Sequence, residues 1–378
     1  MIRHLTLSLA LFWVALAPQL AAAQQWDNVD RVVAIGDLEG DIDKFRDMLR
    51  QAGLINAQDN WSGGRAHLVQ LGDVPDRGAH SRAIMDLLMR LEPQAERAGG
   101  RVHALIGNHE AMNVTGDLRY VHPGEYEAFR DRRSQRTRQD YYRQTLDYLR
   151  ANPPPEGLPE FDDAFRQQWE ALHPLGYVEH RRAWQPGGRY GDWIASHDSV
   201  IRINDTLFVH GGIGPAFAAY EAAVMNEAVD AALRGQPDAG DPNLGGILTH
   251  QEGPLWYRGL AMNDEAAETA NLEAVLTHFG VRRIVTGHTK LAATVLPRFD
   301  GRVIVTDIAV PDGHSDPHAF LIIEGDQLTT MHRGQRVPLN AATPEARCAY
   351  LSAVVALDPP QTPLQRQLAA CAAPAATP

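Results

Sequence analysis

Five apolar, β-rich runs in this chain each end in a glycine-flanked loop that carries an Asp, an Asn or a His. Residues 31–35 run into Gly36-Asp37-Leu38-Glu39-Gly40-Asp41, and residues 66–71 into Gly72-Asp73-Val74-Pro75-Asp76-Arg77-Gly78. Residues 102–106 run into Gly107-Asn108-His109-Glu110. Residues 206–209 lead to His210-Gly211-Gly212, and residues 281–286 to Gly287-His288-Thr289. Each run reads as a buried strand and each loop as a sharp turn. Open α/β sheets bind ligands beyond the carboxyl ends of their strands, so the repetition demands a fold that gathers five such ends. Taken singly, an Asp after a strand is more often a turn former or a helix N-cap. Taken together, the five loops offer mixed oxygen and nitrogen donors suited to divalent metals.

The stretches between the motif loops set the architecture. An apolar stripe at Ile42, Phe45, Leu49 and Ala52 predicts a helix over 42–52, and a second helix is expected over 81–90. Alternation of strand, loop and helix implies right-handed βαβ units and a largely parallel sheet. Residues 118–190 lack strand signals and are rich in Arg, Gln and aromatics, which reads as a helical cap inserted between core strands. Tyr126, Phe129, Tyr141, Tyr142, Leu146 and Leu149 suggest its helices, broken at Asn152-Pro153-Pro154-Pro155. Arg130, Arg132, Arg133, Arg136, Arg138 and Arg143 crowd one part of it. They read either as a solvated face paired with Asp and Glu or as a basic rim that attracts phosphorylated substrates. Strands over 198–203 and 206–209, joined at Asn204-Asp205, resume the core. A helix over 271–279 feeds the 281–286 strand, and 302–306 and 319–323 read as closing antiparallel strands.

The 378 residues, 44% hydrophobic and 22% charged, are enough for one large domain with an insertion or for two domains. A net charge of -12 argues against a general nucleic-acid binder. Arg3 and His4 precede an apolar run over 5–17, then Pro18 and Ala21-Ala22-Ala23. This is the pattern of a secretory signal peptide over 1–23, and the run is short for a membrane-spanning helix. No other segment qualifies as a span. A periplasmic or secreted protein is therefore expected, with its main domain over 24–338. The Ala- and Pro-rich stretch 339–378 is expected to form a short helix and a loose tail. It holds both cysteines, Cys348 and Cys371, which an exported protein can keep as a disulfide. No thiol lies near the motif loops, which argues against cysteine nucleophile chemistry.

The candidate ligands are Asp37, Asp73, Asn108, His210 and His288, with Glu39 nearby. A carboxylate such as Asp73 has two oxygens and can bridge two cations. Bridged two-metal centres run in-line displacements at phosphorus, one metal lowering the pKa of a water and both steadying the phosphoryl oxygens. Asn108 adds no charge, so the centre stays positive enough to bind a phosphate dianion. His109 is placed to act as general acid, with Asp76 as its orienting carboxylate. Arg77 can fork two phosphate oxygens; alternatively, Asp76 and Arg77 form a surface ion pair.

In this order, GD-x-E-G, GD-x-x-DRG, GNHE, HGG and GHT resemble the calcineurin-like metallophosphoesterases, and DRG with GNHE resembles their phosphoprotein phosphatase branch. The stretches Trp193-Ile194-Ala195-Ser196-His197, Leu207-Phe208-Val209-His210-Gly211-Gly212-Ile213 and Gly253-Pro254-Leu255-Trp256-Tyr257-Arg258-Gly259 resemble the Shewanella-like phosphatases. The resemblance spans roughly residues 31–323. It implies an α/β fold, a four-layer α/β/β/α sandwich with a helical cap insertion and two divalent metal ions at the strand ends. By motif match Asp37, Asp73, Asn108, His210 and His288 are metal ligands, His109 with Asp76 the proton donor pair, and Arg77 and Arg258 phosphate clamps. The family usually has His where this chain has Glu39. A carboxylate ligand is hard, so Mn²⁺ is expected, with Fe or Zn as alternatives. His197, His314 and His318 read as structural residues. The expected activity is a phosphomonoesterase on phosphorylated proteins or small phosphoesters, phosphotyrosine included. A dinucleoside polyphosphate or phosphodiester hydrolase is one alternative. A weakened metal- or phosphate-binding protein, with Glu39 as the damaged position, is another.

Overall fold

The computed structural model describes residues 25–155, 157–238, 240–308, 318–358 and 363–372. The expected signal peptide and His314 lie outside these residues. Among the described residues twelve strands are formed: β1 Gln25–Trp26, β2 Arg31–Ile35, β3 His67–Gln70, β4 Arg101–Ala104, β5 Val200–Ile203, β6 Thr206–Val209, β7 Arg283–Thr286, β8 Leu296–Arg298, β9 Val303–Val305, β10 Ala319–Glu324, β11 Gln327–His332 and β12 Gln335–Pro338. They make two six-stranded sheets, ordered β1-β5-β6-β7-β9-β8 and β12-β11-β10-β2-β3-β4.

The motif strands are rich in apolar residues because both of their faces are buried, and polar members such as His67, Gln70, His103 and Arg283 are buried with them. Val32 and Ala34 of β2 pack with Val69, Phe208, Val285 and Ile304, residues of both sheets, and so fill the space between the sheets. Val33 and Ile35 point the other way, into a cluster with Phe45, Leu49, Ile84 and Leu88 of the covering helices. Helices therefore lie outside two stacked sheets, as the α/β/β/α reading requires. Helix Ile42–Gln51 buries the expected stripe and is capped by Asp41, which accepts from Lys44 N at 3.0 Å. Helix Ser81–Arg97 outruns its expected end because Leu91 and Ala95 continue its buried face past Pro93.

β2, β3 and β4 are mutually parallel, and so are β6, β7 and β9. The expectation that 302–306 closes the sheet antiparallel needs correction. β9 is antiparallel only to β8, the short strand before it, and runs parallel to β7 on its other side. Its carboxyl end is thereby brought to the same edge as that of β7. The 319–323 strand is antiparallel to β2 as expected.

Between β4 and β5 every regular element among the described residues is helical, from Asn108–Thr115 to Arg189–Ala195. Four of the clustered arginines are paired within this region: Arg130 with Glu127, Arg138 with Glu170, and Arg136 and Arg143 with Asp140. This favours the solvated-face reading. In the C-terminal stretch, helices Pro344–Val355 and Pro363–Ala372 replace the expected loose tail. Tyr350, Leu351, Val354 and Leu364 are buried there, and Tyr350 donates its hydroxyl to Val295 O at 2.6 Å. A Cys348–Cys371 disulfide joins the two helices, with Cα atoms 5.6 Å apart. No helix among the described residues is long and apolar enough to cross a membrane.

Candidate metal centre

The five motif loops meet at one edge of the sandwich, locked by backbone contacts. Leu38 N and Glu39 N both donate to Asp73 O at 3.0 Å, and Gly40 N donates to Val74 O at 2.8 Å. Gly72 has φ +93°, and a Cβ there would stand 2.7 Å from Gly107 N and 2.8 Å from His210 Nδ1. Only glycine allows these loops to close so tightly. Asp73 and His288, at φ 54° and 64°, turn back over their strand ends in a conformation that non-glycine residues rarely adopt.

Glu110, whose role the sequence did not reveal, staples the second and third loops. Its carboxylate accepts from Asp73 N at 2.9 Å, Val74 N at 2.7 Å and Gly107 N at 2.8 Å, and it is buried. Glu110→Ala strands three buried donors, each unsatisfied group costing about 1–3 kcal/mol. The expected result is a loss of roughly 3 kcal/mol or more of stability, read as a lower melting temperature of the metal-free protein. An unchanged melting temperature would deny Glu110 this stapling role.

Four donor atoms converge inside the loops. His210 Nε2 lies 3.0 Å from Asn108 Oδ1, 3.1 Å from His288 Nδ1 and 3.3 Å from Asp73 Oδ1. The ligand atoms of Asp73, His210 and His288 all fall within 4.8 Å of one another, and all three residues are buried. His210 Nδ1 lies 2.6 Å from Leu71 O, to which it donates, so in the neutral ring Nε2 carries the lone pair. A lone pair thus faces the oxygen and nitrogen acceptors of its neighbours. That arrangement wants a cation, and the donor set fits a divalent metal. Without one a proton takes the place: burial lowers the His210 pKa, but the Asp73 charge outweighs this and lifts it to about 9. His288 is the reverse, lowered to about 2 by burial and by His210, and so a neutral ring.

Asp37 is buried near Asp73 and accepts from His288 N at 3.0 Å. Burial, then the Asp73 charge, push its carboxyl above the usual range. Glu39 is turned to a pair of cations: it bonds Arg77 and takes Lys290 Nζ at 2.5 Å. A further carboxylate, Asp307, is buried against Asp37. No sequence signal marks it, because the β9 run ends in Thr306-Asp307 without a flanking glycine.

At the rim, His109 Nδ1 lies 2.5 Å from Asp76 Oδ2. Asn113 fixes this pair, its Nδ2 donating to Asp76 Oδ1 at 2.9 Å and to His109 O at 3.0 Å. Burial lowers the His109 pKa, but the Asp73 charge and the Asp76 bond outweigh it and the net shift is upward. Tyr120 leans over the His109 ring with centroids 5.2 Å apart, and its own ring is flanked by Arg77 at 5.5 Å. Arg258 Nη1 donates to His288 O at 2.6 Å and to Thr289 Oγ1 at 3.2 Å, which seats it beside the fifth loop. His197 is not brought to this centre: its ring nitrogens lie 2.6 Å from Trp193 O and 3.0 Å from Glu92. His318 lies 2.5 Å from Asp47.

Residues 30–290 match the calcineurin-like phosphoesterase family. Shewanella-like protein phosphatase 2 of Arabidopsis thaliana is 30% identical over 307 residues, covering 77% of this chain and 74% of that protein. Shewanella-like protein phosphatase 1 of Plasmodium berghei is 24% identical, covering 70% and 64%. The crystal structure of a cold-active protein-tyrosine phosphatase from a psychrophilic Shewanella species superposes with a TM-score of 0.62 at 27% identity, over 84% of this chain and 82% of that one. Two stacked sheets flanked by helices, motif loops gathered at one edge and a family match across most of the chain agree: this protein belongs to the calcineurin-like phosphoesterases, related to the Shewanella-like phosphatases.

Proposed function

We propose that the protein is a metal-dependent phosphomonoesterase acting on phosphoproteins, with phosphotyrosine among its substrates. The observation that carries this is the convergence of Asp73, Asn108, His210 and His288 donors with the His109–Asp76 pair at their rim. Asp37 is buried beside Asp73 and bonded to the His288 loop, which adds a second carboxylate to the Asp73, Asn108, His210 and His288 donors and supports a centre that would hold two ions. When bound, such a pair supplies a hydroxide nucleophile at neutral pH and steadies the phosphoryl oxygens. The residues do the rest. Arg77 and Arg258 bind phosphate oxygens, and His109, held by Asp76, gives its proton to the leaving oxygen. Tyr120, 43% exposed beside His109, offers an aromatic wall where the leaving group would sit. That placement, and the tyrosine phosphatase relative, support an aromatic leaving group. Manganese is the proposed metal, because carboxylates crowd the Asp37 side. We also read residues 1–23 as an export signal, and the Cys348–Cys371 disulfide supports an oxidising compartment.

A panel of phosphotyrosine and phosphoserine peptides, a dinucleoside polyphosphate and a chromogenic phosphate ester tests the proposal on Mn²⁺-loaded protein. Phosphate release is expected from the peptides and the ester, fastest from phosphotyrosine. Turnover of the dinucleoside polyphosphate alone would overturn the monoesterase reading, and no turnover of any substrate would overturn the enzyme reading.

A further inference from the structure

Resting on the two-ion centre just proposed, we infer that Asp307 supplies the carboxylate that completes the metal position beside Asp37, and that Glu39 instead anchors Arg77 and Lys290 at its edge. The sheet brings Asp307 to this edge. β7 and β9 are parallel with Thr286 opposite Val305. His288 and Asp307 each stand two residues beyond those partners, so Asp307 is a sixth strand-end donor in step with the fifth. The β2 end is packed directly on it: a Cβ on Gly36 would lie 2.6 Å from Thr306 O and 3.0 Å from Asp307 N. Asp37 and Asp307 are thus carried side by side by adjoining backbones.

The side chains agree. Asp307 is 2% exposed, and its Oδ2 has no hydrogen-bond partner among the described residues. A buried carboxylate oxygen left unpaired is costly, and here it lies against a second buried carboxylate, Asp37. A divalent cation between them removes both penalties. Glu39 has no comparable need. Its two oxygens are already taken, one by Arg77 and one by Lys290, at the loop surface. The position where the family usually has His is therefore occupied by an anion committed to two cations.

The charges are consistent with phosphate binding. Two divalent ions bring four positive charges, and Asp37, Asp73 and Asp307 remove three. The remaining positive charge is reinforced by Arg77, which Glu39 holds in place, and by Arg258. The two metal positions also differ in kind. Asp37, Asp73 and Asp307 offer only oxygen, which suits Mn²⁺ or Mg²⁺, whereas His210 and His288 give the other position nitrogen donors that suit zinc or iron.

Metal binding, read by Mn²⁺ titration calorimetry and by metal content after gel filtration, tests the inference without relying on activity. The wild type is expected to bind two ions per chain. In Asp307→Ala one of the two should weaken by at least about 100-fold, beyond the ~10–100-fold that loss of an outer hydrogen-bond partner causes. Glu39→Gln should keep both ions, while inhibition by inorganic phosphate weakens because Arg77 loses its tether. Should Asp307→Ala fail to fold, Asp307→Asn keeps the shape and should still weaken one ion, with the other unchanged. Two ions bound at wild-type affinity in the Asp307 variants, or an ion lost in Glu39→Gln, would overturn the inference. A wild type that binds no divalent ion would instead bring down the metal-centre reading itself.

Discussion

Chelation is expected to abolish phosphate release, and Mn²⁺ to restore it. The effect should be the largest available to any single manipulation, because the proposed nucleophile and the neutralisation of the phosphate both depend on the ions. Without them the centre keeps the buried carboxyl groups of Asp37, Asp73 and Asp307 and lacks the metal charge that would draw in a phosphate dianion. Loading should also release protons. The His210 pKa of about 9 in the metal-free protein means that its ring is charged at neutral pH, and a metal must displace that proton to reach Nε2. Proton and metal compete, so apparent affinity should weaken as pH falls below about 9, by up to about tenfold per pH unit for one displaced proton. His288, lowered to about 2, adds no such competition. Titration calorimetry in two buffers of different ionisation enthalpy measures the proton release. Full activity in a metal-free preparation would end the metal-dependent reading.

Much of this centre was legible because its chemistry sits where sequence periodicity changes. Asp37, Asp73, Asn108, His210 and His288 each follow a strand whose two faces are both buried, so the run is mostly apolar and its boundary is sharp. Glycine marks the turn in each case, since the close approach at Gly72 admits no side chain. Asp307 is not legible in this way because β9 is only three residues long and Thr306-Asp307 carries no glycine. The parallel pairing that brings it to the centre is a tertiary fact: β8 takes the antiparallel partner, and β9 is left to join β7. Glu110 was visible as a letter in GNHE, but three backbone donors from two loops define its role, and these exist only after folding. The C-terminal helices were obscured in another way. Their composition is Ala- and Pro-rich, and what orders them is Tyr350, Leu351 and Val354 packing onto the strands, with the Cys348–Cys371 bond between them.

In His109→Asn, kcat should fall by about 10²–10⁴-fold, the usual worth of general acid–base help, while metal content stays at the wild-type level. His109 reaches no other donor of the metal cluster than Asp73, with Nε2 3.8 Å from Oδ2, and its Nδ1 is committed to Asp76. Nε2 is therefore the atom left to carry a proton to the leaving oxygen. The upward shift of its pKa keeps the ring charged to higher pH than a free imidazole. The acid form is the active one, so kcat should decline as pH rises through that raised pKa, and the Asn variant should lose this alkaline limb. Asp76→Asn removes the charge that supports the imidazolium and should move the limb to lower pH without erasing it. The loss in His109→Asn should be greatest for a phosphoserine peptide, whose alkoxide must be protonated as it departs. It should be smaller for phosphotyrosine and smallest for nitrophenyl phosphate, whose leaving group departs as a stable anion. Equal losses across these three substrates would show that His109 positions the phosphate or the ions, and that the proton comes from elsewhere.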